Sequence, residues 1–497
     1  MLRFIFEREI MNPMRYRAAL AAVLILLVAF AAPAKEKIKI EKLDDLPRHT
    51  YTIDMPAVEL LGDEKALMQL AAEVKKDLEA DLDTYEIDDA TTMKGYYHNL
   101  GTIALIEGDY DTYLMYLEKR KHLEDKEAAR LTKGLFAKAY IEAKATGKEG
   151  KAFKKELKRI YAEMINPLPY EIVGDELKAS KGSSEIVNEA LILGMIQSQV
   201  QPVLDQSGGE MSKDMATGLI SQAYALQVYI PNASIVTEVL AAYIDEHHVD
   251  KPDIWADRDF DLGKGDGKAE VRVGIWDSGV DAPIFKSTMW TNPEEVPNNG
   301  KDDDGNGYVD DVHGIAYDLD SNPVPELLYP IGALDERPQL QSRTKGLLDL
   351  QANIDSKEAQ ELKKTLKGLQ PEEVNPFLEG LSKYGNYSHG THVAGIAVRG
   401  NPYIRVIAAR MTYSHKSIPP EPTIEKARKD SAMMRDVVAY FQEQGVRVVN
   451  MSWGESLGGV ESALEMNNAG GTPEERKELA RQIFEISKGG LYEAIKG

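Results

Sequence analysis

VRVGIWDSGVD, residues 271–281, is a short β-branched and apolar run that ends in a carboxylate and a tight Ser-Gly turn. Such a run is typical of a buried strand in a parallel sheet. Residues 404–411 and 446–453 repeat this texture, and helical patterns lie between and after them. Because strand–helix alternation places helices on the faces of a parallel sheet, we predict an α/β fold for the C-terminal half.

Asp277 stands at the end of the first predicted strand, where functional groups collect in open α/β sheets. A carboxylate there can orient a histidine and stabilise its protonated form, although Asp-Ser-Gly also occurs as a turn that caps the next element. His389, in the stretch NYSHGTHVAGIAV, is predicted to act as a general base at a helix start that Ser388 caps. Zinc at His389 and His392 is disfavoured, because no third ligand or adjacent glutamate completes the pattern.

Three motifs in this order resemble those of the subtilisin-like serine proteases, namely residues 277–281, 389–395 and 450–454. The resemblance covers less than half of the chain. It implies a serine endopeptidase in which Asp277 and His389 belong to an Asp-His-Ser triad, with protein or peptide substrates as partners. It also implies an edge that binds the substrate backbone as an extra strand. The residues implied for that edge are Ser452, Trp453 and Gly454.

The family's oxyanion asparagine and nucleophilic serine lie in later Ala-Gly-Asn and Gly-Thr-Ser-x-Ala stretches, and neither stretch occurs up to residue 497. We therefore expect an incomplete, C-terminally truncated peptidase domain that is inactive as given. Ser456 fits the elbow pattern of an α/β-hydrolase esterase, but that class places its histidine after the serine, and the last histidine is His415. We interpret Ser456 as a loop serine. A further rival is a non-catalytic helical-repeat binding protein with a degenerate peptidase domain.

An insert at about residues 282–383 separates the first two motifs and contains the acidic stretch KDDDGNGYVDD, residues 301–311. Oxygen-bearing side chains at alternate positions, with Gly307 at the turn, resemble the first half of an EF-hand loop and predict a structural calcium site. His313 stands where that loop has its bidentate glutamate, so a solvated acidic loop is the alternative. The predicted ligands are Asp302, Asp304, Asn306 and Asp310.

Residues 35–255 carry apolar side chains at helical spacing and are predicted to form a mainly α-helical N-terminal domain. Near residue 255 the pattern gives way to Gly, Asp and Lys, so we place the peptidase domain at residues 256–497. Residues 96–120 have the spacing of one tetratricopeptide-like hairpin. Since one clear copy is found, an ordinary helical hairpin is the alternative.

Residues 1–34 have the pattern of a signal peptide, with Arg15 and Arg17, an apolar run at residues 18–30 and an A-x-A-like site at residues 32–34. An uncleaved anchor is the alternative. We expect an exported protein, periplasmic or extracellular, with no stable membrane span after cleavage. The net charge of −22 argues against a nucleic-acid partner, because binding to phosphates needs a basic surface.

Overall fold

The computed structural model of the chain describes most of its residues. The predicted signal peptide, residues 1–34, lies outside the described residues, and so does the predicted domain boundary near residue 255. Among the helices that are described, none has both the length and the apolar character that crossing a membrane requires. The described residues are 37–41, 45–248, 258, 260–263, 265, 267–332 and 336–496.

The N-terminal region is mainly helical, which confirms this part of the predicted fold class. Its helices are α1 (Ala57–Gly62), α2 (Glu64–Thr84), α3 (Ala90–Glu107), α4 (Tyr110–His122), α5 (Glu127–Thr132), α6 (Leu135–Ala145), α7 (Gly150–Ile165), α8 (Tyr170–Ile186), α9 (Glu189–Met195), α10 (Gln201–Ser207), α11 (Lys213–Tyr224) and α12 (Ala233–His247). Its strands are β1 (Ile38–Lys39), β2 (Thr50–Thr52), β3 (Tyr85–Glu86) and β4 (Glu210–Ser212). The first pairs with the third and the second with the fourth. Two π-helical turns, Ile196–Val200 and Ala225–Tyr229, and a 3₁₀ turn, Ile230–Asn232, join neighbouring helices.

Two buried apolar cores hold the helices together. Leu67 and Leu100 lie in the first core, and Leu157 and Leu240 lie in the second. Each helix contributes one apolar face, because its apolar side chains recur every three or four residues. Burying one leucine of this kind stabilises the fold by roughly 1.5–3 kcal/mol relative to leaving it exposed. The two cores therefore account for most of the stability of the helical region.

The stretch predicted as a tetratricopeptide-like hairpin forms a helical hairpin from α3 and α4. Gly108 ends α3 in the left-handed conformation, with φ 78°, which turns the chain at little steric cost. Asp109 then caps α4 by accepting a hydrogen bond from the amide of Thr112. Gly101 allows close packing, because a Cβ there would already touch Tyr116 at 3.5 Å. The turn at Gly108, the cap at Asp109 and the small residue Gly101 therefore favour this hairpin.

The C-terminal region has a five-stranded sheet flanked by helices, which confirms the predicted α/β fold. Its strands are β5 (Val271–Asp277), β6 (Gly314–Tyr317), β7 (Pro323–Val324), β8 (Ile404–Arg410) and β9 (Val448–Met451), joined in the order β7-β6-β8-β5-β9. Four of them are parallel, namely the three predicted strands and β6, which was not predicted, whereas β7 pairs antiparallel with β6. The sequence pattern does not predict β7, which is only two residues long.

Helices cover both faces of this sheet. The helices of the C-terminal region are α13 (Arg337–Gln351), α14 (Lys357–Gly368), α15 (Pro371–Val398), α16 (Ile424–Glu443), α17 (Leu457–Met466) and α18 (Pro473–Lys496), of which α15 and α16 pack on opposite faces of the sheet. Ile275 of β5 packs with Ala394 of α15 on one face. Its neighbour Trp276 packs with Val437 of α16 on the other face, because successive side chains of a strand point to opposite sides. Contacts on both faces of the sheet therefore hold β5 in place.

The helix that carries His389 is much longer than the sequence predicts. It begins at Pro371, where Gln370 and Glu373 form a reciprocal capping box. The prediction that Ser388 caps a helix start is wrong, since its hydroxyl donates to the carbonyl of Tyr384 at 2.9 Å within α15. His389 therefore lies inside a helix of 28 residues rather than at its first turn.

The helical N-terminal region contacts the first half of α15 and the neighbouring insert helices. Gly194 of α9 lies against α15 so closely that a Cβ there would be 2.4 Å from the carbonyl oxygen of Pro371 and 2.6 Å from the Cβ of Val374. Asn188 donates a hydrogen bond to the carbonyl of Leu366 at 3.1 Å. These contacts hold the N-terminal end of the helix that bears His389. A displacement of that end would also move His389, because both lie on one helix.

We predict opposite effects of Gly194→Ala and Gly218→Ala on stability. The first variant inserts a methyl group into the α9–α15 contact and should lower the free energy of unfolding by roughly 1–3 kcal/mol. Gly218 lies in α11 with open space where its Cβ would be, so alanine there should raise stability by roughly 0.5–1 kcal/mol. Denaturant titration of the full chain measures both. Equal stabilisation by the two changes would contradict the close contact.

Candidate active site

Asp277 lies at the carboxyl end of β5, between β8 and β9. It is only 2 % exposed, so water contributes little to its solvation. The amide of Ser278 donates to its Oδ1 at 2.7 Å, and the hydroxyl of Ser278 does so at 3.1 Å. The Asp-Ser-Gly turn thus supplies hydrogen bonds to one oxygen of the carboxylate and holds it in one orientation.

His389 meets this carboxylate. Its Nδ1 lies 2.7 Å from Oδ1 of Asp277, across 112 positions of sequence. Because an ionised carboxylate can only accept hydrogen bonds, Nδ1 donates and carries the proton, which leaves Nε2 of the neutral ring as the acceptor. The side chain of His389 is 50 % exposed, whereas that of Asp277 is buried. The pair therefore combines a fixed, buried acid with an imidazole that solvent can reach.

Gly390 makes the short distance between α15 and the end of β5 possible. A Cβ at Gly390 would lie 2.3 Å from the carbonyl oxygen of Gly279 and 3.1 Å from both Cβ and Oδ1 of Asp277. Gly279 itself has φ 127° and a Cβ there would clash with the carbonyl of Leu327 at 2.6 Å. The amide of Asp281 also donates to the hydroxyl of Thr391 at 3.0 Å. Residues next to the predicted pair thus set its spacing.

The predicted substrate-binding residues follow β9, at the edge of the sheet. Ser452 and Gly454 are exposed, and Trp453 is half-buried. The indole Nε1 of Trp453 donates to the carbonyl of Trp276 at 2.8 Å, and the two rings pack edge to face at 5.1 Å. Val448 of the edge strand is 57 % exposed. The geometry therefore offers an open strand edge beside a fixed aromatic side chain.

A cavity of about 500 Å³ lies beside Trp453 and Gly454 and is also lined by Tyr413. Tyr413 is a site residue that sequence reasoning missed, because the loop after β8 carries no recognisable motif. Its hydroxyl is buried without a hydrogen-bond partner in the described part of the chain. Burial, and to a lesser extent the charge of Asp277, raises the pKa of Tyr413. The neutral hydroxyl is therefore the form present at physiological pH.

Ser456 caps α17. Its hydroxyl accepts a hydrogen bond from the amide of Gly459 at 3.1 Å, which satisfies one of the free donors of the first turn. Across the residues that the structure describes, no serine hydroxyl is hydrogen-bonded to His389. A helix cap agrees with the loop-serine interpretation and gives Ser456 a structural role.

The predicted calcium ligands divide into two groups. Asp302 accepts hydrogen bonds from the amides of Gly305, Asn306 and Gly307 at 2.7–3.1 Å. Asp310 likewise accepts from two amides of the preceding turn. These two carboxylates brace the loop through hydrogen bonds to backbone amides, and neither belongs to the group of carboxylates that could hold a metal ion. The side-chain amide of Asn306 donates to Asp304 and Asp311 at 2.9 and 3.0 Å.

Carboxylate oxygens of Glu295, Asp304 and Asp311 lie within 4.8 Å of one another. Of the predicted ligands, Asp304 belongs to this set, and Glu295 was missed because it precedes the acidic stretch. Glu295 and Asp311 are 6 % and 2 % exposed, and burial raises the pKa of both. Oε2 of Glu295 is buried with no hydrogen-bond partner among the described residues. A hard cation fits here, because it would supply the missing partner and neutralise the crowded carboxylates.

The comparisons with known proteins agree with the geometry of the pair. Residues 268–491 match the family model described as the subtilase family. No curated protein and no solved structure matches the chain. The matched range contains Asp277, His389 and the strand edge that ends in Gly454. This match supports a subtilisin-like peptidase domain of the subtilase family at residues 268–491.

Proposed function

We propose that the C-terminal domain supplies the acid and the base of a serine endopeptidase. The observation that carries this proposal is the 2.7 Å contact between Nδ1 of His389 and Oδ1 of Asp277. In the reaction, Nε2 of His389 accepts the proton of a serine hydroxyl as that hydroxyl attacks the peptide carbonyl. Asp277 holds the ring in the required tautomer and stabilises the imidazolium that forms. His389 then donates the proton to the leaving amine.

The proposed nucleophile is not among the serines that follow Gly454. Ser456 is engaged as a helix cap, and Ser487 is buried at 5 % exposure. Ser462 lines a different cavity, next to Arg48 of the helical region. We propose that none of these three serines forms an acyl-enzyme with His389, and that catalysis requires a serine and an oxyanion-binding asparagine of the kind that the family resemblance implies.

The proposed substrates are extended peptide segments. An extended chain could hydrogen-bond along β9 and Ser452–Gly454 as an additional strand, while Trp453 and Tyr413 line the neighbouring cavity. Two aspects of this site support that mode of binding. The edge strand is exposed, and the Trp453 ring is fixed by its hydrogen bond to Trp276. Backbone pairing would give affinity, and the cavity would select side chains.

A structural calcium ion is part of the proposal. Glu295, Asp304 and Asp311 would hold it, with Asn306 contributing through its hydrogen bonds to two of these carboxylates. The ion would neutralise the charges that burial makes unfavourable. We also propose export to the periplasm or the medium, where calcium is sufficient for a site of modest affinity. The signal-like pattern of residues 15–34 supports this location.

One prediction of the proposed function concerns proteolysis. The full chain, residues 1–497, should not react with a fluorophosphonate probe. Extended at its C-terminus by a subtilase segment that carries the Ala-Gly-Asn and Gly-Thr-Ser-x-Ala stretches, the protein should hydrolyse casein in the exported fraction. In that extended protein, Asp277→Asn should lower kcat on the order of 10⁴-fold, because His389 would lose its orienting acceptor.

Asp125→Asn is the matched control for that change. Asp125 is exposed between α4 and α5, away from the proposed site, and the same loss of charge there should leave kcat within about twofold. Fluorophosphonate labelling of Ser456 in the full chain would favour the esterase interpretation instead. If the extended protein hydrolyses nothing while the helical region binds a protein partner, the non-catalytic binding protein is the better account.

Another prediction of the proposed function concerns the stability that bound calcium provides. Chelation should lower the Tm of the full chain by roughly 5 °C or more, because an ion bound only to the folded state stabilises it by about 2.7 kcal/mol at a hundredfold excess over Kd. Glu295→Gln should abolish the calcium-dependent part of the Tm, as measured by calorimetry with and without added calcium. The buried Oε2 of Glu295 makes this side chain the most sensitive test.

Glu294→Gln is the control, since Glu294 is the exposed neighbour and should leave the calcium response intact. Asp302→Asn separates the two roles in the loop. It should lower the Tm equally with and without calcium, because Asp302 accepts amide hydrogen bonds. An unchanged Tm on chelation would remove the calcium assignment and leave the peptidase proposal standing.

A further inference from the structure

A cavity of about 310 Å³ lies in the helical N-terminal domain. The residues that line it all precede the peptidase domain in sequence. Its walls come from α3, α4, α6 and α7, the turn after α11, and the exposed Ser180 of α8. The volume falls at the lower end of the range of small-molecule sites, roughly 300–1,000 Å³. The cavity is therefore large enough for a compact organic ligand.

One end of the cavity is positively charged. Arg120 and Lys133 line it, and a single carboxylate, that of Glu124, is shared by Lys133 at 3.0 Å, Arg120 at 3.8 Å and Lys94 at 3.8 Å. Three cations around one anion leave a local excess of positive charge. This is notable in a chain whose net charge is −22. An anion that entered the cavity would be attracted to this end.

The guanidinium of Arg120 lacks a partner for one donor. Its Nε is buried with no hydrogen-bond partner in the described part of the chain, and Oε1 of Glu124 at 3.8 Å is beyond hydrogen-bond distance. Nη1 donates to Nδ1 of His98 at 3.1 Å. Burial, aided by the charges of Arg120 and Lys133, lowers the pKa of His98 to about 4, so the ring is neutral at pH 7 and can accept that bond. The charge of Arg120 is therefore only partly compensated by its neighbours.

Four tyrosines also line the cavity. Two of them contact Phe136, whose ring meets Tyr161 at 5.9 Å and Tyr229 at 5.3 Å, both edge to face. Within the described residues, the hydroxyls of this group form no hydrogen bond, and burial keeps them protonated because it raises their pKa. The four are Tyr113, Tyr161, Tyr224 and Tyr229. The cavity thus offers aromatic faces together with free hydroxyl donors.

We infer that this cavity binds a small organic carboxylate with an aromatic or apolar body. The carboxylate would lie against the accessible parts of the Arg120 and Lys133 side chains, and the body would pack among the tyrosines. A monoanion matches the charge, because Glu124 already offsets part of the three cations. Inorganic phosphate fits less well, since it has no apolar part to cover the aromatic walls.

Benzoate is the probe that tests this inference. Isothermal titration calorimetry on the full chain should show one saturable site with Kd on the order of 0.1–1 mM, the range expected for a ligand of this size. Benzamide has nearly the same shape without the charge and should bind at least about tenfold more weakly, because a charge-assisted hydrogen bond to Arg120 is lost. Inorganic phosphate should bind more weakly than benzoate.

Variants locate the binding. Arg120→Gln should raise the Kd for benzoate at least about tenfold, and Tyr224→Phe should raise it about threefold by removing one hydroxyl without changing the volume. Arg159→Gln is the control, because Arg159 pairs with Glu156 and Glu163 on the surface of α7. Circular dichroism checks folding. If Arg120→Gln does not fold, the inference is tested by comparing the Kd for benzoate of Tyr224→Phe with that of Arg159→Gln.

Three results would overturn the inference. They are the absence of saturable benzoate binding, equal binding of benzoate and benzamide, and a Kd that the folded cavity variants leave unchanged. Tighter binding of phosphate than of benzoate would also overturn the assignment to a carboxylate. None of these outcomes depends on peptidase activity, so the inference and the proposed function can fail separately.

Discussion

The close approach of α15 to the end of β5 is the constraint on which the site depends. Gly390 lacks a side chain at the point of contact, and this lets His389 reach Asp277. A hydrogen bond of 2.7 Å tolerates little displacement, since such bonds weaken steeply outside a narrow range of distance and angle. Everything that positions α15 therefore acts on the proposed acid–base pair.

Several parts of the chain share that task. The sheet fixes β5 from both sides, and the apolar contact of Ile275 with Ala394 seats α15 on one face. The helical N-terminal region holds the other end of α15 through Gly194 and Val374. A helix that runs continuously from that contact to His389 joins the two regions mechanically. The long insert thus connects the helical domain to the site.

The proximity of Asp277 and His389 could be predicted from the sequence alone. Asp277 and His389 stand in short motifs, and the strand pattern around Asp277 predicts its place at the edge of a parallel sheet. The length of α15 was not predictable, because the motif around Ser388 resembles a cap and the true start depends on Gln370 and Glu373. Glu295 joins the acidic cluster only through tertiary folding. The same holds for the cavity next to Arg120, whose walls come from helices far apart in sequence.

The Nδ1 proton of His389 tests the central claim most directly. In the full chain labelled with ¹⁵N-histidine, its resonance, assigned by loss in His389→Gln, should be visible and protected from exchange with water. Gly390→Ala should abolish the protection, because the added Cβ would displace α15 from Asp277, whereas Gly395→Ala, which meets only Phe285 at 3.9 Å, should preserve it. A signal that is unprotected in the parent chain, or that survives unchanged in Gly390→Ala, would contradict the account.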